Sequence, residues 1–316
     1  MIVLDAGQVR DNLPMPQCIE AMAAAMQAAS GSRFISPPRQ MFPLEGGGIF
    51  AVMPGMGREL GVYGAKIASV NPGNSARGLP AIHGIVVLFD YDTGVPISVM
   101  DGAEITAIRT AAASGLATRL LAREDARTLG LFGTGVQAMT HLEAMRSVRP
   151  LQSVHVWGRD PVSTQRFARE QAERLGMEVH AAGDPGEAAS CDIVCAVTNS
   201  PTPIVEGRWV RPGAHVNLVG AHSLRTREAD TQLIQGSSVY VDLLSSQKAE
   251  GGDIMIPVEE GAITLDHVVG EIGQLLAGDI PGRRDDRAIT VYNSVGFVAQ
   301  DLYAATSVLE ALRRGS

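Results

Sequence analysis

Short apolar runs separated by helical stretches fill the middle of the chain. Residues 127–132, Ser153–Trp157, Glu178–Ala182, Asp192–Val197, Ala214–Val219 and Ser238–Asp242 each read as a buried strand. Stretches 136–147 and 162–175 between them read as helices, and a shorter helical piece precedes the fourth run. Strands alternating with helices predict a parallel, doubly wound sheet. The pattern ahead of it differs. Ile49–Met53, Gly61–Val70, Ile82–Phe89 and Val95–Met100 follow one another without intervening helices. The turn-rich Asp90–Gly94 joins the last two, which suggests a small, largely antiparallel sheet.

Three helices frame that first sheet. Residues 16–29 place Ile19, Met22, Met26 and Ala29 near one face, and Gly31 ends the helix. Ser36–Gln40 is extended because prolines and the residues before them avoid the helical region. Asp101-Gly-Ala-Glu104 reads as a capped helix start, and Ile105–Ala122 continues from one domain into the next. The last helix, from about Val295 to Arg313, is expected to return and cover the early sheet, because a sheet needs a helix on one face. The expected α/β fold is a Rossmann-type doubly wound domain, 123–294, plus a smaller α+β domain from 1–122 and 295–316. Asn71–Gly78, dense in turn residues, is a candidate ligand loop. Pro281–Arg287 reads as a solvated mixed-charge turn.

Composition narrows the function classes. The 316 residues carry 26 basic and 34 acidic side chains, a net charge of −8, so nucleic acid is an unexpected partner. Cys18, Cys191 and Cys195 are too few for a disulfide framework and point to a reducing compartment. The opening residues lack a secretory apolar region and no uncharged run reaches membrane length, so a cytoplasmic protein with no membrane partner and no bound metal is expected.

The sharpest motif is Gly133-Thr-Gly-Val-Gln-Ala138, which follows a strand and opens a helix. Gly133 allows the sharp turn. Gly135 leaves room for a pyrophosphate at the helix N–H groups, and Ala138 lets helix and strand pack closely. Gly133, Thr134, Gly135, Val136 and Gln137 are therefore candidate dinucleotide contacts. The second strand ends in Trp157-Gly-Arg-Asp160. Gly158 stands where an acid would hold the ribose of NAD, and Arg159 suits a 2′-phosphate, which favours NADP(H) over NAD(H); Asp160 keeps NAD in play. Val197, Thr198, Val219, Gly220, Ser294 and Gly296 complete the expected cofactor set.

With these segments assembled, the chain resembles the ornithine cyclodeaminase/mu-crystallin family over nearly its whole length. The likeness rests on Lys66 before Asn71-Pro-Gly-Asn74, on Gly78-Leu-Pro80, and on Thr106-Ala-Ile-Arg-Thr-Ala-Ala112. It continues through Gly133-Thr-Gly-Val-Gln137, Gly220-Ala-His222, Arg227-Glu228 and Ser294-Val-Gly296. The resemblance implies a homodimer using NAD(H) or NADP(H), with the first domain carrying the dimer contact and part of the substrate site. It implies that Arg39 and Arg109 hold a substrate carboxylate and that Lys66 stands next to the reacting carbon. On physical grounds the trio suits a small amino or imino acid. Arginine grips a carboxylate bidentately, and a buried lysine exchanges protons readily.

Two positions depart from the cyclodeaminase pattern: His222 replaces an aspartate after Gly220-Ala221, and Ala81 replaces a threonine, with the substrate candidate His83 two residues on. The family as a whole usually has Glu-Asp in the last helix, where this chain has Gln300-Asp301. A histidine offers no fixed negative charge but donates a proton near its ordinary pKa of about 6.5. The leading expectation is reduction of a cyclic ketimine, with His222 or Lys66 as proton donor. Ornithine cyclodeamination, amino-acid dehydrogenation of the alanine type and a non-catalytic NADP-dependent ligand-binding protein are the alternatives.

Overall fold

The computed structural model describes residues 1–315. The chain divides into two units, Met1–Thr110 with Gly296 onward, and Ala111–Val295. The division falls inside a helix, twelve residues or so before the boundary at 122 read from the sequence.

The first unit opens with β1 (Ile2–Leu4), α1 (Ala6–Asp11) and α2 (Met15–Ser30), followed by β2 (Gln40–Pro43), β3 (Ile49–Gly57), β4 (Val62–Val70), β5 (Ile82–Asp90) and β6 (Pro96–Asp101). The sheet order is β1-β6-β5-β4-β3-β2; β1 joins β6 in parallel and the other pairings are antiparallel. β1 and α1 are too short to leave a periodic signal and have no counterpart in the sequence reading. The turn-rich stretch after β4 winds into a 3₁₀ helix, Pro72–Arg77. Asp90 closes the β5–β6 hairpin by accepting from Thr93 N at 2.9 Å and Thr93 Oγ1 at 2.7 Å.

The period of two sorts this sheet into unlike faces. Met53, Val62, Val86, Leu88 and Met100 are buried on one face, together with Lys66. Phe42, Phe50, Met56 and Ile85 alternate with them and are exposed.

Helix α3 (Gly102–Leu121) starts as the sequence suggests, with Asp101 Oδ1 accepting from Glu104 N at 2.7 Å. The second unit then runs β7 (Thr128–Phe132), α4 (Val136–Val148), β8 (Ser153–Trp157), α5 (Pro161–Leu175), β9 (Glu178–Ala181), α6 (Pro185–Ala189), β10 (Ile193–Ala196) and β11 (His215–Leu218). It continues with α7 (Thr231–Gln235), β12 (Ser237–Val241), α8 (Leu244–Glu250), α9 (Gly252–Glu259), β13 (Val268–Glu271), α10 (Ile272–Ala277) and β14 (Ile289–Asn293). Its eight strands lie in the order β13-β12-β14-β11-β10-β7-β8-β9, all parallel. This is the α/β architecture expected. β14, which the sequence reading did not mark, inserts between β11 and β12.

The turn before β14 corrects another expectation. Arg283 is not a solvated charge: its Nε donates to Leu121 O at 2.7 Å, and Nη2 to Ala214 O and Thr290 Oγ1, both at 3.1 Å. One of these acceptors, Leu121 O, is a carbonyl at the end of α3 that has no partner within the helix. Helix α11 (Val298–Gly315) closes the chain by packing on α2 and on β3, β4 and β5 of the first unit. Its apolar stripe, including Leu302, Ala305 and Val308, covers the sheet's buried face. No helix among the described residues is long and apolar enough to cross a membrane.

Candidate active site

In the first unit, three elements bring their charged side chains to one point. β4 contributes Lys66, whose same-face neighbours Gly64 and Ala68 leave it room. α3 contributes Arg109, and α11 contributes Gln300 and Asp301. Asp301 Oδ1 accepts from Lys66 Nζ at 3.2 Å and from Arg109 Nε at 3.0 Å. Gln300 Oε1 accepts from Arg109 Nη1 at 2.6 Å. Lys66 and Arg109 are 7% and 5% exposed, and Gln300 and Asp301 are fully buried. Asp301 Oδ2 and Gln300 Nε2 have no hydrogen-bond partner among the described residues.

Gly296 belongs to this cluster too. It adopts φ +73°, and a Cβ there would stand 2.6 Å from Arg109 Nη1. Only glycine both takes that backbone angle and lets the guanidinium lie against the chain. Its carbonyl accepts from Arg39 Nη2 at 3.2 Å. The residue assigned to the cofactor from the sequence thus sits between the two arginines. Its neighbour of that assignment, Ser294, is buried and accepts from Tyr292 Oη at 3.3 Å.

Electrostatics follow from burial. Burial pushes the Lys66 ammonium down from 10.5 to about 8; Asp301 opposes that fall and Arg109 adds to it. Burial alone would raise the Asp301 carboxyl, but Arg109 and Lys66 outweigh it and hold the group below the usual carboxylate range. Nearby Cys18 stays a neutral thiol, pushed up to about 12 by burial.

His83 does not join this cluster. The register pairs His83 with Ser69 and Val86 with Lys66, so the two side chains leave opposite faces of the sheet. His83 is exposed and lines a separate depression of about 300 Å³ with Phe50, Ser69, Ile85 and Asp101. In sequence His83 stands two residues beyond Ala81, but its phase along β5 sets it on the face opposite Lys66.

In the second unit, the strand order reverses between β7 and β10, the point where open α/β sheets place ligands beyond their strand ends. Gly133 leaves β7 with φ +116°, and Gly135 caps α4 with no side-chain hydrogen bond to the helix's first N–H groups. A Cβ on Gly135 would meet nothing within 4 Å, so the space over the turn is open. Val136 is 58% exposed beside it. This geometry fits a pyrophosphate. Arg159 is exposed at the end of β8, while the Asp160 carboxylate caps α5, accepting from Ser163 N at 3.1 Å and Ser163 Oγ at 2.5 Å. His222 is exposed, two residues beyond Gly220.

Glu228, part of the family motif but without an expected role, ties this end of the sheet together. Its carboxylate accepts from Thr198 N at 2.7 Å, Thr198 Oγ1 at 2.6 Å and Gly220 N at 2.6 Å. Asp253 in turn accepts from the backbone of Glu228 and Ala229, both at 2.8 Å. Burial and then Asp253 push the Glu228 carboxyl up to about 7, against the pull of its three donors.

An α/β unit with an open glycine turn at its switch point, and a second unit carrying a buried lysine–arginine–aspartate cluster, define the class. The chain belongs to the ornithine cyclodeaminase/mu-crystallin family, whose model matches residues 1–316. It is 34% identical to Δ1-pyrroline-2-carboxylate reductase of Bacillus cereus over 319 residues, covering 100% of this chain and 98% of the relative. It is 31% identical to an alanine dehydrogenase of Archaeoglobus fulgidus over 310 residues, covering 98% and 94%. Among solved structures, it resembles the Thermococcus litoralis Δ1-pyrroline-2-carboxylate reductase in complex with NADH and L-proline. The TM-score is 0.95 at 34% identity, over 100% of this chain and 98% of that one.

Proposed function

We propose that the chain is an NAD(P)H-dependent oxidoreductase that reduces a cyclic α-imino acid, of the pyrroline- or piperideine-2-carboxylate type, to the amino acid. The observation that carries this reading is the buried cluster in which one aspartate oxygen aligns both Lys66 and Arg109. Arg109 and Arg39 hold the substrate carboxylate; guanidinium forks suit that geometry. Reduction of a C=N bond needs hydride at carbon and a proton at nitrogen. The nicotinamide supplies the hydride. Lys66, poised near pKa 8, supplies the proton, with exposed His222 as the second candidate donor.

Gly133, Thr134, Gly135, Val136 and Gln137 receive the pyrophosphate, and Val197, Thr198, Val219 and Gly220 border the nicotinamide end. NADPH is the favoured nucleotide, since the Asp160 carboxylate is engaged as a helix cap and Arg159 stands free of secondary structure beside it. NADH in the T. litoralis relative makes the comparison of the two nucleotides a necessary experiment. A second copy of the chain covers the exposed apolar face of Phe42, Phe50, Met56 and Ile85, giving a homodimer; a patch of this kind on a lone subunit marks an interaction surface.

The test is nucleotide oxidation by the purified protein with Δ1-pyrroline-2-carboxylate and Δ1-piperideine-2-carboxylate. Ammonia and proline formation from ornithine, and pyruvate amination, are followed in parallel. Turnover of ornithine or pyruvate without reduction of either ketimine overturns the reading, and tight nucleotide binding without any turnover favours a binding protein.

A further inference from the structure

The buried cluster has an unbalanced charge. Lys66 and Arg109 bring two cations and Asp301 one anion, all more than nine-tenths buried. The remaining side chain, Gln300, is an amide that accepts from Arg109 where a carboxylate would have completed the balance. Of the other titratable groups nearby only Arg39 alters the sum, and it adds to the positive excess. Cys18 is a neutral thiol. Glu104, earlier on α3, is paired with Arg10 at 2.8 Å. Arg39 is only half-buried and partly screened by water.

An uncompensated charge in a protein interior costs free energy until a counter-charge arrives. Here one negative charge offsets the excess of the buried Lys66–Arg109–Asp301 trio. A cyclic imino acid with an unprotonated nitrogen is a monoanion and restores balance. An amino-acid zwitterion brings no net charge, and a diamino acid with two ammonium groups adds another cation. Passage of the proton from Lys66 to the nitrogen leaves the total unchanged, and the negative charge brought by the hydride is matched by the positive charge left on the nicotinamide.

We infer that Gln300 is a specificity-determining residue: its neutrality leaves the Lys66–Arg109–Asp301 cluster one positive charge in excess, which selects a monoanionic imino acid over a cationic diamino acid. The inference rests on the cluster being the substrate-carboxylate site. A charge added or removed a few ångströms away, at an effective dielectric of about 20, changes affinity by roughly 10- to 100-fold or more.

Binding of three probes to the nucleotide-loaded protein, measured by calorimetry, tests it without requiring turnover. The probes are pyrrole-2-carboxylate (a monoanion), L-proline (a zwitterion) and L-ornithine (a cation). The wild-type protein should bind them in that order of decreasing affinity. Gln300→Glu should weaken pyrrole-2-carboxylate by about 10- to 100-fold and narrow its lead over ornithine. Gln300→Met removes the hydrogen bond to Arg109 but adds no charge, and should keep the wild-type order. Unchanged nucleotide affinity in each variant establishes that it is folded. Ornithine binding the wild type as tightly as pyrrole-2-carboxylate overturns the inference, as does a Gln300→Met protein that loses selectivity as fully as Gln300→Glu. Should Gln300→Glu fail to fold, the wild-type order and Gln300→Met still decide it. A protein that shows the binding order but reduces no ketimine sinks the proposed reaction alone.

Discussion

The proton-donor role proposed for Lys66 makes a directional prediction. Lys66 lies on β4 with its Nζ 3.2 Å from Asp301 Oδ1, and burial brings its ammonium from 10.5 to about 8. An acid must be protonated before it can donate. For imine reduction, kcat/KM should therefore be level below about pH 8 and fall about tenfold per unit above it. An ordinary lysine would sustain the rate to about pH 10.4. Oxidation of the amino acid needs the neutral amine, so the reverse rate should rise through the same pH. Lys66→Arg keeps a cation against Asp301 but cannot release its proton, and should lower reduction by roughly 10²–10⁴-fold, the usual worth of a general acid. Nucleotide affinity should hardly change, because Lys66 lies outside the dinucleotide unit. The assay is steady-state reduction from pH 6 to 10 in constant ionic strength, with nucleotide fluorescence for binding. A rate level past about pH 9.5, or a Lys66→Arg enzyme within about threefold of wild type, refutes the assignment. A pH profile that keeps its position in Lys66→Arg instead transfers the donor role to His222.

Other substitutions probe the rest of the site. Arg109→Lys removes the fork that reaches Asp301 and Gln300 and is proposed to reach the substrate; losing one or two charged hydrogen bonds at about 1.5–3 kcal/mol each should cut kcat/KM at least about tenfold, with nucleotide affinity unchanged in fluorescence titration. Arg159→Ser should narrow the NADPH-to-NADH affinity ratio, and an unaltered ratio removes Arg159 from the 2′-phosphate. Glu228 has its carboxyl raised from 4.5 to about 7, so the folded state holds the proton more tightly than the unfolded chain. Its contribution is full below about pH 4.5 and is lost as pH rises through about 7. Glu228→Gln should flatten the melting temperature's dependence on pH in that window and weaken nucleotide binding, because an amide cannot accept from Thr198 and Gly220 together; equal slopes in scanning calorimetry count against it.

The second unit was readable because its signals are local. A strand, three residues of turn and a helix start lie within ten positions around Gly133, and each has its own physical reason. The unread pieces there are the short ones. Ile289–Asn293 spans five residues after a charged turn, and its burial comes from β11 and β12 on either side, which no local period reports. Arg283 looked like a solvated charge for the same reason, since its acceptors Leu121 and Ala214 lie far away in sequence.

The first unit shows why its site was only half legible. Lys66 and Arg109 stand out as basic residues in small or apolar surroundings, whereas Arg39 is singled out only by the family resemblance. The anion that aligns two of them does not, because Asp301 lies 235 positions from Lys66 and looks like one more polar residue on a closing helix. What identifies it is a requirement of burial: an arginine and a lysine taken out of water need an acid. The helix expected to return over the sheet was the place to seek it. His83 illustrates the converse. It lies near the right loop in sequence, but the strands alternate strictly in phase, and one register fixes which side chains can meet. Because β4 pairs Lys66 with Val86, every odd-numbered residue from 83 to 87 points away from the lysine. Counting along both strands from the Ile67–Ile85 pair would have set His83 on the face opposite Lys66 and, by the same count, marked the exposed apolar row of Phe50, Met56 and Ile85.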